Sequence, residues 1–294
     1  MDEHVANRAA RMMRGVSSNL VGLIVPDIRN SFYSTTAHAL SRCLLAENYQ
    51  LTLCETDDDR ILELRHIREL TSINVAGIII VPSARPHPEA ARLLKLTPHI
   101  QLLRKQASLG EQWFGIDDAK AIVEGTRHVL ELGHRRIGYI GGTAEPPSGM
   151  ARVQGYRDAI ATSGAQVDRT EELGAPASTE FGREAVRRLL ERETPPTALV
   201  IGTVQNTLGA IDELNRLGVR VPSQLSVVGF GDELGYRWWG PGLTTVRLPV
   251  SELATACGLW FLHQLKNKDQ ISGPYSSISP PDLIVRGSSA PPPG

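Results

Sequence analysis

The 294-residue sequence has few of the features that mark secreted or membrane proteins. Its three cysteines, Cys43, Cys54 and Cys257, form no CxxC pair, and an odd, unpatterned count fits a reducing compartment. No apolar run approaches the roughly 20 residues that span a bilayer, and the N-terminus lacks an apolar secretory segment. A net charge of −1 excludes general attraction to nucleic acid. We therefore expect a cytoplasmic protein without a membrane partner.

Motifs for catalysis are also absent from the sequence. GxxxxGK[ST], GxSxG and HExxH do not occur, and the GFG at residues 229–231 does not continue into a dinucleotide-binding GxGxxG. His128 and His134 are six residues apart, so they favour solvated histidines near a helix end over a metal site. The aspartates at 57–59 precede a helix, and helix capping explains them. We expect no metal, no cofactor and no enzymatic activity.

What the sequence does contain is a regular alternation of short apolar runs and amphipathic segments. Continuous apolar runs are typical of parallel strands covered on both faces, and strand–helix units recurring every ~25–30 residues predict an α/β fold. The predicted strands are LVGLIVP (20–26), QLTLC (50–54), AGIIIVP (76–82), IGYIG (137–141), ALVIG (198–202) and LSVVGF (225–230).

The strand–helix series occurs twice, which predicts two Rossmann-like lobes, each a parallel sheet flanked by helices. We assign residues 20–117 with 247–274 to the N-terminal lobe and residues 118–246 with 275–288 to the C-terminal lobe. Residues 1–19 form a basic helix and a linker. The tail GSSAPPPG is rich in serine and proline, so we expect disorder there, with residues 289–294 outside either lobe.

A series of short motifs extends over nearly the whole chain, from about Asn7 to Ser288. In order, they are NRAARMMRG (7–15), LVGLIVPDIRNSFY (20–33), GID (115–117), LGHRRI (132–137), RxxGY (152–156), SVVGF (226–230), LTTV (243–246) and LIVRG (283–287). Their order and spacing resemble the lactose-repressor family of transcription regulators.

The resemblance implies a fold similar to periplasmic sugar-binding proteins of type I, with an effector cleft between the lobes. It also implies a homodimer whose paired hinge helices contact operator DNA. The hinge residues would be Asn7, Arg8, Arg11 and Met13, with Met13 as the side chain that enters the minor groove. Too few residues precede Asn7 for a helix-turn-helix head, so we expect no tight operator binding by this chain alone. A simple soluble basic helix is the alternative.

The same resemblance indicates where an effector would bind. The implied ligand-binding residues are Phe32, Tyr33, Arg104, Ser148, Arg152, Thr203, Gly231 and Leu248. Four of them replace polar family residues: Arg104 and Gly231 stand where the family has aspartates, Thr203 where it has an asparagine, and Leu248 where it has a glutamine.

These replacements change the expected charge of the site. Two carboxylates are lost, and one position gains a guanidinium. Arg104 and Arg152 without a carboxylate partner would leave buried positive charge, which an anion would neutralise. We therefore rank an organic or aromatic acid first among the candidate effectors, a sugar acid second and a neutral sugar third. The alternatives are a solvent-facing Arg104, a strut role for Arg152, and packing or turn roles for the other residues.

The stretch GFGDELGYRWWG (229–240) fits the same interpretation. Gly231 takes the position of the family's ligand-binding aspartate, so Asp232 is expected to serve a local turn or cap. Trp238 and Trp239 are expected to pack near the lobe crossover or a subunit interface, with the cleft as the alternative. The sequence thus predicts the sensing core of a DNA-binding regulator. A transporter's solute-binding protein and an α/β enzyme remain alternative classes.

Overall fold

The computed structural model describes residues 18–143, 147–164, 169–267 and 275–293, without the side chains of 169–171. These residues divide into two compact α/β units, each described here by itself. The first unit extends to Gly115 and includes Val250–Ser279, and the second comprises Ile116–Pro249 and the chain from Pro280 onward. Within the described residues, no helix is long and apolar enough to cross a membrane.

The first unit is a six-stranded sheet in the spatial order β11-β5-β4-β3-β1-β2. In this order, each strand from β5 to β2 is parallel to its neighbour. Its central strands are buried, as the apolar runs predicted. Its elements are β1 (Leu20–Val25), α1 (Ser31–Ala46), β2 (Gln50–Glu55), α2 (Arg60–Ser72), β3 (Gly77–Ile80), α3 (Pro88–Leu94), β4 (His99–Leu102), β5 (Trp113–Ile116), α8 (Val250–Lys266) and β11 (Ser276–Ser279).

The second unit repeats this design with the order β12-β10-β9-β8-β6-β7. Only the pairing of β12 with β10 is antiparallel among the described pairs. Its elements are α4 (Asp118–Glu131), β6 (Arg136–Gly141), α5 (Pro147–Thr162), β7 (Arg169–Gly174), α6 (Thr179–Leu190), β8 (Ala198–Ile201), α7 (Val204–Arg216), β9 (Ser226–Phe230), β10 (Thr244–Arg247) and β12 (Asp282–Ile284). The predicted fold class, two parallel sheets flanked by helices, is confirmed.

The boundaries predicted after residues 117, 246 and 274 lie after residues 115, 249 and 279, so the last one differs most. The sequence assigned residues 275–279 to the second lobe, whereas β11 lies at the edge of the first sheet beside β5. The ring of Tyr275 stacks on Trp260 of α8 at 5.2 Å and lies 5.3 Å from Phe114 of β5. The backbone N–H of Trp113 donates to the carbonyl of Tyr275 at 3.0 Å. These aromatic and backbone contacts hold the segment on the first unit.

The expectation of a disordered C-terminal tail is wrong for the described residues. Ser288 is fully buried and donates to the carbonyl of Val227. Ser289 bonds His128, and the carbonyl of Ala290 lies 2.8 Å from Nε2 of His134. The tail is ordered because it satisfies buried polar groups beside β9 and β10. Its composition carries no information about these distant partners.

His134 is likewise not the solvated residue that the sequence suggested, whereas His128, in the last turn of α4, is half-buried. His134 is fully buried, with Thr197 and Ser226 as further partners of its ring. Burial lowers the pKa of both His134 and His128. The LGH motif therefore holds the C-terminal segment in place with a neutral imidazole.

Candidate functional site

In the first unit, the predicted ligand residue Arg104 lies just beyond the carboxyl end of β4. Its guanidinium is ion-paired with Asp58 in the turn between β2 and α2, through both Nη atoms. It also donates to the carbonyl of Pro82, at the end of β3, at 3.4 Å. Carboxyl ends of neighbouring parallel strands share one edge of the sheet, so these groups meet there.

Arg104 remains charged in this setting. Burial opposes the charge, but Tyr33, in the first turn of α1, and Asp58 together raise the pKa of the guanidinium. Tyr33 lies close enough to affect the pKa of Arg104, so two of the predicted ligand residues are neighbours. The side chain of Arg104 is 13% exposed, which excludes the alternative that it faces solvent.

Three residues that position this ion pair have left-handed backbone conformations. Asp57 and Asp58 have φ of 49° and 60°, and Leu103, directly before Arg104, has φ of 63°. Such conformations are uncommon for residues other than glycine and cluster at functional sites. Asp59, the third aspartate, caps α2 by accepting from the N–H groups of Ile61 and Leu62. The capping interpretation is therefore right for Asp59 and incomplete for Asp58.

A buried carboxyl group lies beside this ion pair. Glu63 of α2 has no solvent exposure, and its two oxygens accept from the N–H and the hydroxyl of Ser83, at 2.6 and 3.0 Å. Burial raises the pKa of Glu63, the Ser83 bonds lower it, Asp58 raises it and Arg104 lowers it, with a net increase. Glu63 thus fixes the chain at the end of β3, where Pro82 contacts Arg104.

In the second unit, Arg152 of α5 is the centre of a similar arrangement. Its Nε donates to Oδ1 of Asp118 in the first turn of α4 at 2.7 Å, and its Nη1 donates to the carbonyl of Gly202, after β8, at 2.9 Å. The guanidinium also lies 4.3 Å from the ring centre of Phe230, at the end of β9. Arg152 and Asp118 are 15% and 11% exposed. The site thus combines an ion pair with a cation–π contact.

The other predicted residues of the second unit lie at or near the same strand ends. Thr203, after β8, caps α7 by accepting from the N–H of Asn206 at 3.1 Å. Gly231 follows Phe230 with φ of 83°, a conformation that suits glycine, and its carbonyl accepts from the hydroxyl of Thr245. Ser148 is half-buried in the first turn of α5, and Leu248 is buried after β10. Phe32, in the first unit, is half-buried in the first turn of α1.

Asp232 has a different role from the expected turn or cap. Its carboxylate accepts from Nη2 of Arg286 at 2.7 Å, and the two side chains are 10% and 15% exposed. Asp232 therefore links the end of β9 to the chain that follows β12.

A buried tyrosine hydroxyl lies close to Arg152. The phenol of Tyr139 passes along β6 over Gly141 and reaches Gly202, and a Cβ at either glycine would overlap it. Its ring stacks on Tyr156 at 5.1 Å. The Tyr139 hydroxyl is buried without a hydrogen-bond partner among the described residues. Burial raises its pKa, so the phenol stays neutral.

The premise of unpaired positive charge is therefore wrong. Both arginines have carboxylate partners within their own units, so neither guanidinium requires an external anion for charge balance. Asp118, Phe230 and Asp58 were missed as partners of the arginines. Each had a sequence signal, because Asp58 belongs to the aspartate cluster, Asp118 follows the GID motif and Phe230 ends the SVVGF motif.

The remaining sequence expectations concern metals and DNA. In the part of the chain that the structure describes, no group of three or more His, Cys, Asp or Glu side chains is arranged to hold a metal ion. The hinge residues Asn7, Arg8, Arg11 and Met13 lie outside the described residues.

Comparison with known proteins identifies the family and the fold. A family of periplasmic binding protein-like domains matches residues 126–289. The transcriptional regulator GalR of Escherichia coli K12 is 30% identical over 251 residues, which cover 85% of this chain and 73% of that protein. A LacI-family repressor structure from Corynebacterium glutamicum has a TM-score of 0.81 at 26% identity, over 92% of this chain and 99% of that one. A LacI-family regulator from Enterococcus faecium, solved with bound ribose, has a TM-score of 0.82 at 25% identity, with the same coverage.

Proposed function

Because this chain belongs to the LacI/GalR family of transcriptional regulators, whose members are not enzymes, we propose that it is the effector-sensing core of a DNA-binding repressor. The observation that carries the proposal is the placement of Arg104 and Arg152 at the carboxyl ends of the two parallel sheets. Ligands of open α/β sheets bind at such strand ends. The ligand-binding residues that we propose are Phe32, Tyr33, Arg104, Ser148, Arg152, Thr203, Gly231 and Leu248.

The first candidate effector is a small organic, aromatic or sugar acid held by Arg104. Charge balance does not require an anion, so the support for an acidic effector comes from the position and chemistry of the Arg104 guanidinium. It donates to the carbonyl of Pro82, Tyr33 lies beside it, and its carboxylate partner Asp58 is half-exposed. Arginine binds carboxylates and phosphates through paired hydrogen bonds. Tyr33 and Phe32 would add aromatic surface beside the acid.

The second candidate is a neutral sugar, and the observed pairing of charges favours it. Each arginine is matched by one aspartate, so the residues at the strand ends offer both donors and acceptors without net charge. Polyhydroxyl ligands require such a mixture, because every buried hydroxyl needs a partner. The Enterococcus relative with bound ribose shows that a regulator of similar fold takes a neutral sugar.

Isothermal titration calorimetry separates the two candidates. The panel pairs benzoate with its neutral analogue benzamide, and gluconate with glucose, and adds ribose. We expect an acid to bind and its neutral analogue to bind at least tenfold more weakly. Arg104→Gln should weaken the acid about tenfold or more, since a charge-assisted bond is lost. Binding of the neutral sugars alone would reject the acid and establish the second candidate.

Regulation would follow from a shift between conformations. An effector with different affinities for two conformations changes their populations, and operator affinity changes with them. We propose operator DNA as the partner through Asn7, Arg8, Arg11 and Met13, a homodimer as the working form, and the cytoplasm as the compartment. Fluorescence anisotropy with operator DNA, on the protein that the gene encodes, tests this coupling. Operator affinity that an effector leaves unchanged would contradict it.

A further inference from the structure

The ion pair of Arg104 and Asp58 joins two unequal partners. The Arg104 side chain is 13% exposed, whereas that of Asp58 is 48% exposed. Arg104 also donates to the carbonyl of Pro82 at 3.4 Å, and Tyr33 lies beside it. The guanidinium would thus keep its position if the carboxylate moved away. Asp58, by contrast, can regain hydration at little cost because half of its side chain already faces water.

The backbone around Asp58 also favours a movable carboxylate. Asp57 and Asp58 are consecutive left-handed residues, a conformation that residues with a Cβ adopt rarely. Asp59 anchors α2 independently through its own capping bonds, so a change in the turn leaves the start of the helix intact. The turn can therefore release Asp58 without disrupting an adjacent element.

The pair in the second unit provides an internal comparison. Asp118 is 11% exposed and lies in the first turn of α4, where the helix fixes its backbone. Arg152 is bound to Asp118, to the carbonyl of Gly202 and to the face of Phe230. Both side chains of that pair are at most 15% exposed, so Asp118 is a permanent partner of Arg152. Only the first unit combines a fixed guanidinium with a half-exposed carboxylate, among the pairs described at the strand ends.

We propose that Asp58 is a displaceable internal partner of Arg104, and that the acidic group of the effector takes its place on the guanidinium. This inference rests on the proposed function and assigns a carboxylate or phosphate oxygen to Arg104. Asp58 then competes with the effector and lowers its apparent affinity. Displacement exchanges one charge-assisted pair for another, so Arg104 is never left buried without a negative partner.

Calorimetry of two matched variants of the 294-residue chain tests the competition. Asp58→Asn removes the competing charge and keeps the side-chain size, whereas Asp57→Asn makes the same charge change one residue away. The probes are sodium benzoate for a carboxylate, sodium phosphate for a phosphate, and benzamide as the neutral control. We expect Asp58→Asn to bind one of the two anions about three- to fivefold more tightly than the parent, in line with the loss of a half-exposed ion pair. Asp57→Asn should match the parent, and benzamide should show no gain.

Each other outcome has a separate meaning. An anion that binds the parent and Asp58→Asn equally, or binds Asp58→Asn more weakly, overturns the displacement while the acid effector stands. An equal gain in both variants overturns it as well, because general electrostatics would then explain the gain. If neither anion binds the parent or Asp58→Asn, the displacement and the acid effector both fail, and the sensing role rests on the neutral candidate.

Discussion

Nε of Arg152 lies 2.7 Å from Oδ1 of Asp118, and the two side chains are almost completely buried in the second unit. This pair joins α5 to α4 beside the carboxyl ends of β8 and β9. Removing one member of a buried pair leaves the other charged and unpaired, which costs more than removing both. The relationship therefore predicts a specific pattern of stabilities.

Asp118→Ala should lower the free energy of unfolding by about 3 kcal/mol. The double variant Asp118→Ala with Arg152→Met should recover most of this loss, because no buried charge remains. Urea unfolding followed by circular dichroism measures both. As a control, Asp212→Ala breaks an exposed pair with Arg183 and should cost at most about 1 kcal/mol. A double variant no more stable than the single one would show that Arg152 stabilises the unit by other means.

The stacked pair of Tyr139 and Tyr156 predicts opposite effects of the same substitution. Tyr156 donates its hydroxyl to the carbonyl of Ile137 at 3.0 Å, whereas the buried Tyr139 hydroxyl has no partner in the described chain. Tyr156→Phe should therefore lower the free energy of unfolding by about 1 kcal/mol. Tyr139→Phe should leave it unchanged or raise it, since an unpaired polar group leaves the core. A loss in Tyr139→Phe as large as in Tyr156→Phe would reveal a partner for that hydroxyl.

Glu63 predicts a pH dependence of stability with a definite sign. Its net pKa is raised in the folded protein, so the unfolded chain loses this proton at lower pH than the folded one. The free energy of unfolding should therefore fall as pH rises. The decrease begins near the ordinary glutamate pKa of about 4.3 and continues through the raised pKa of Glu63 in the folded protein. Glu63→Gln can accept from the N–H of Ser83 and donate to its hydroxyl oxygen, and it cannot ionise. Its stability relative to the parent should rise with pH over this window in urea titrations at a series of pH values. A pH-independent difference would contradict this prediction.

Trp238 predicts the location of a subunit contact. Its side chain is 72% exposed, while the indole of Trp239 beside it donates to Asn215 at 3.0 Å. If the proposed homodimer uses this surface, Trp238→Asp should raise the dissociation constant of the dimer at least tenfold, as expected for a central aromatic contact. Sedimentation velocity over a concentration series measures this. Leu96→Asp, at an 87% exposed residue, is the matched control and should leave the dimer unchanged. Equal behaviour of the two variants would place the contact elsewhere.

Sequence determined the fold class because the relevant information is local. Continuous apolar runs such as LVGLIVP identify buried parallel strands, and the amphipathic segments between them identify the covering helices. The ordered motifs, from LVGLIVPDIRNSFY to LIVRG, also determined the family. They indicated strand-end residues, of which Tyr33 and Arg104 are neighbours in the first unit.

Only the tertiary structure decided the charge of the site. Asp58 is 46 residues from Arg104 along the chain, and Asp118 is 34 residues from Arg152. Charge partners at such separations are brought together by sheet order and helix packing, which no local pattern encodes. The same holds for the C-terminal tail, whose composition indicated disorder but whose Ser288 is fully buried beside β9 and β10. Sequence thus determined the fold class and several of the buried strands, and the packing of the elements decided which polar groups neutralise one another.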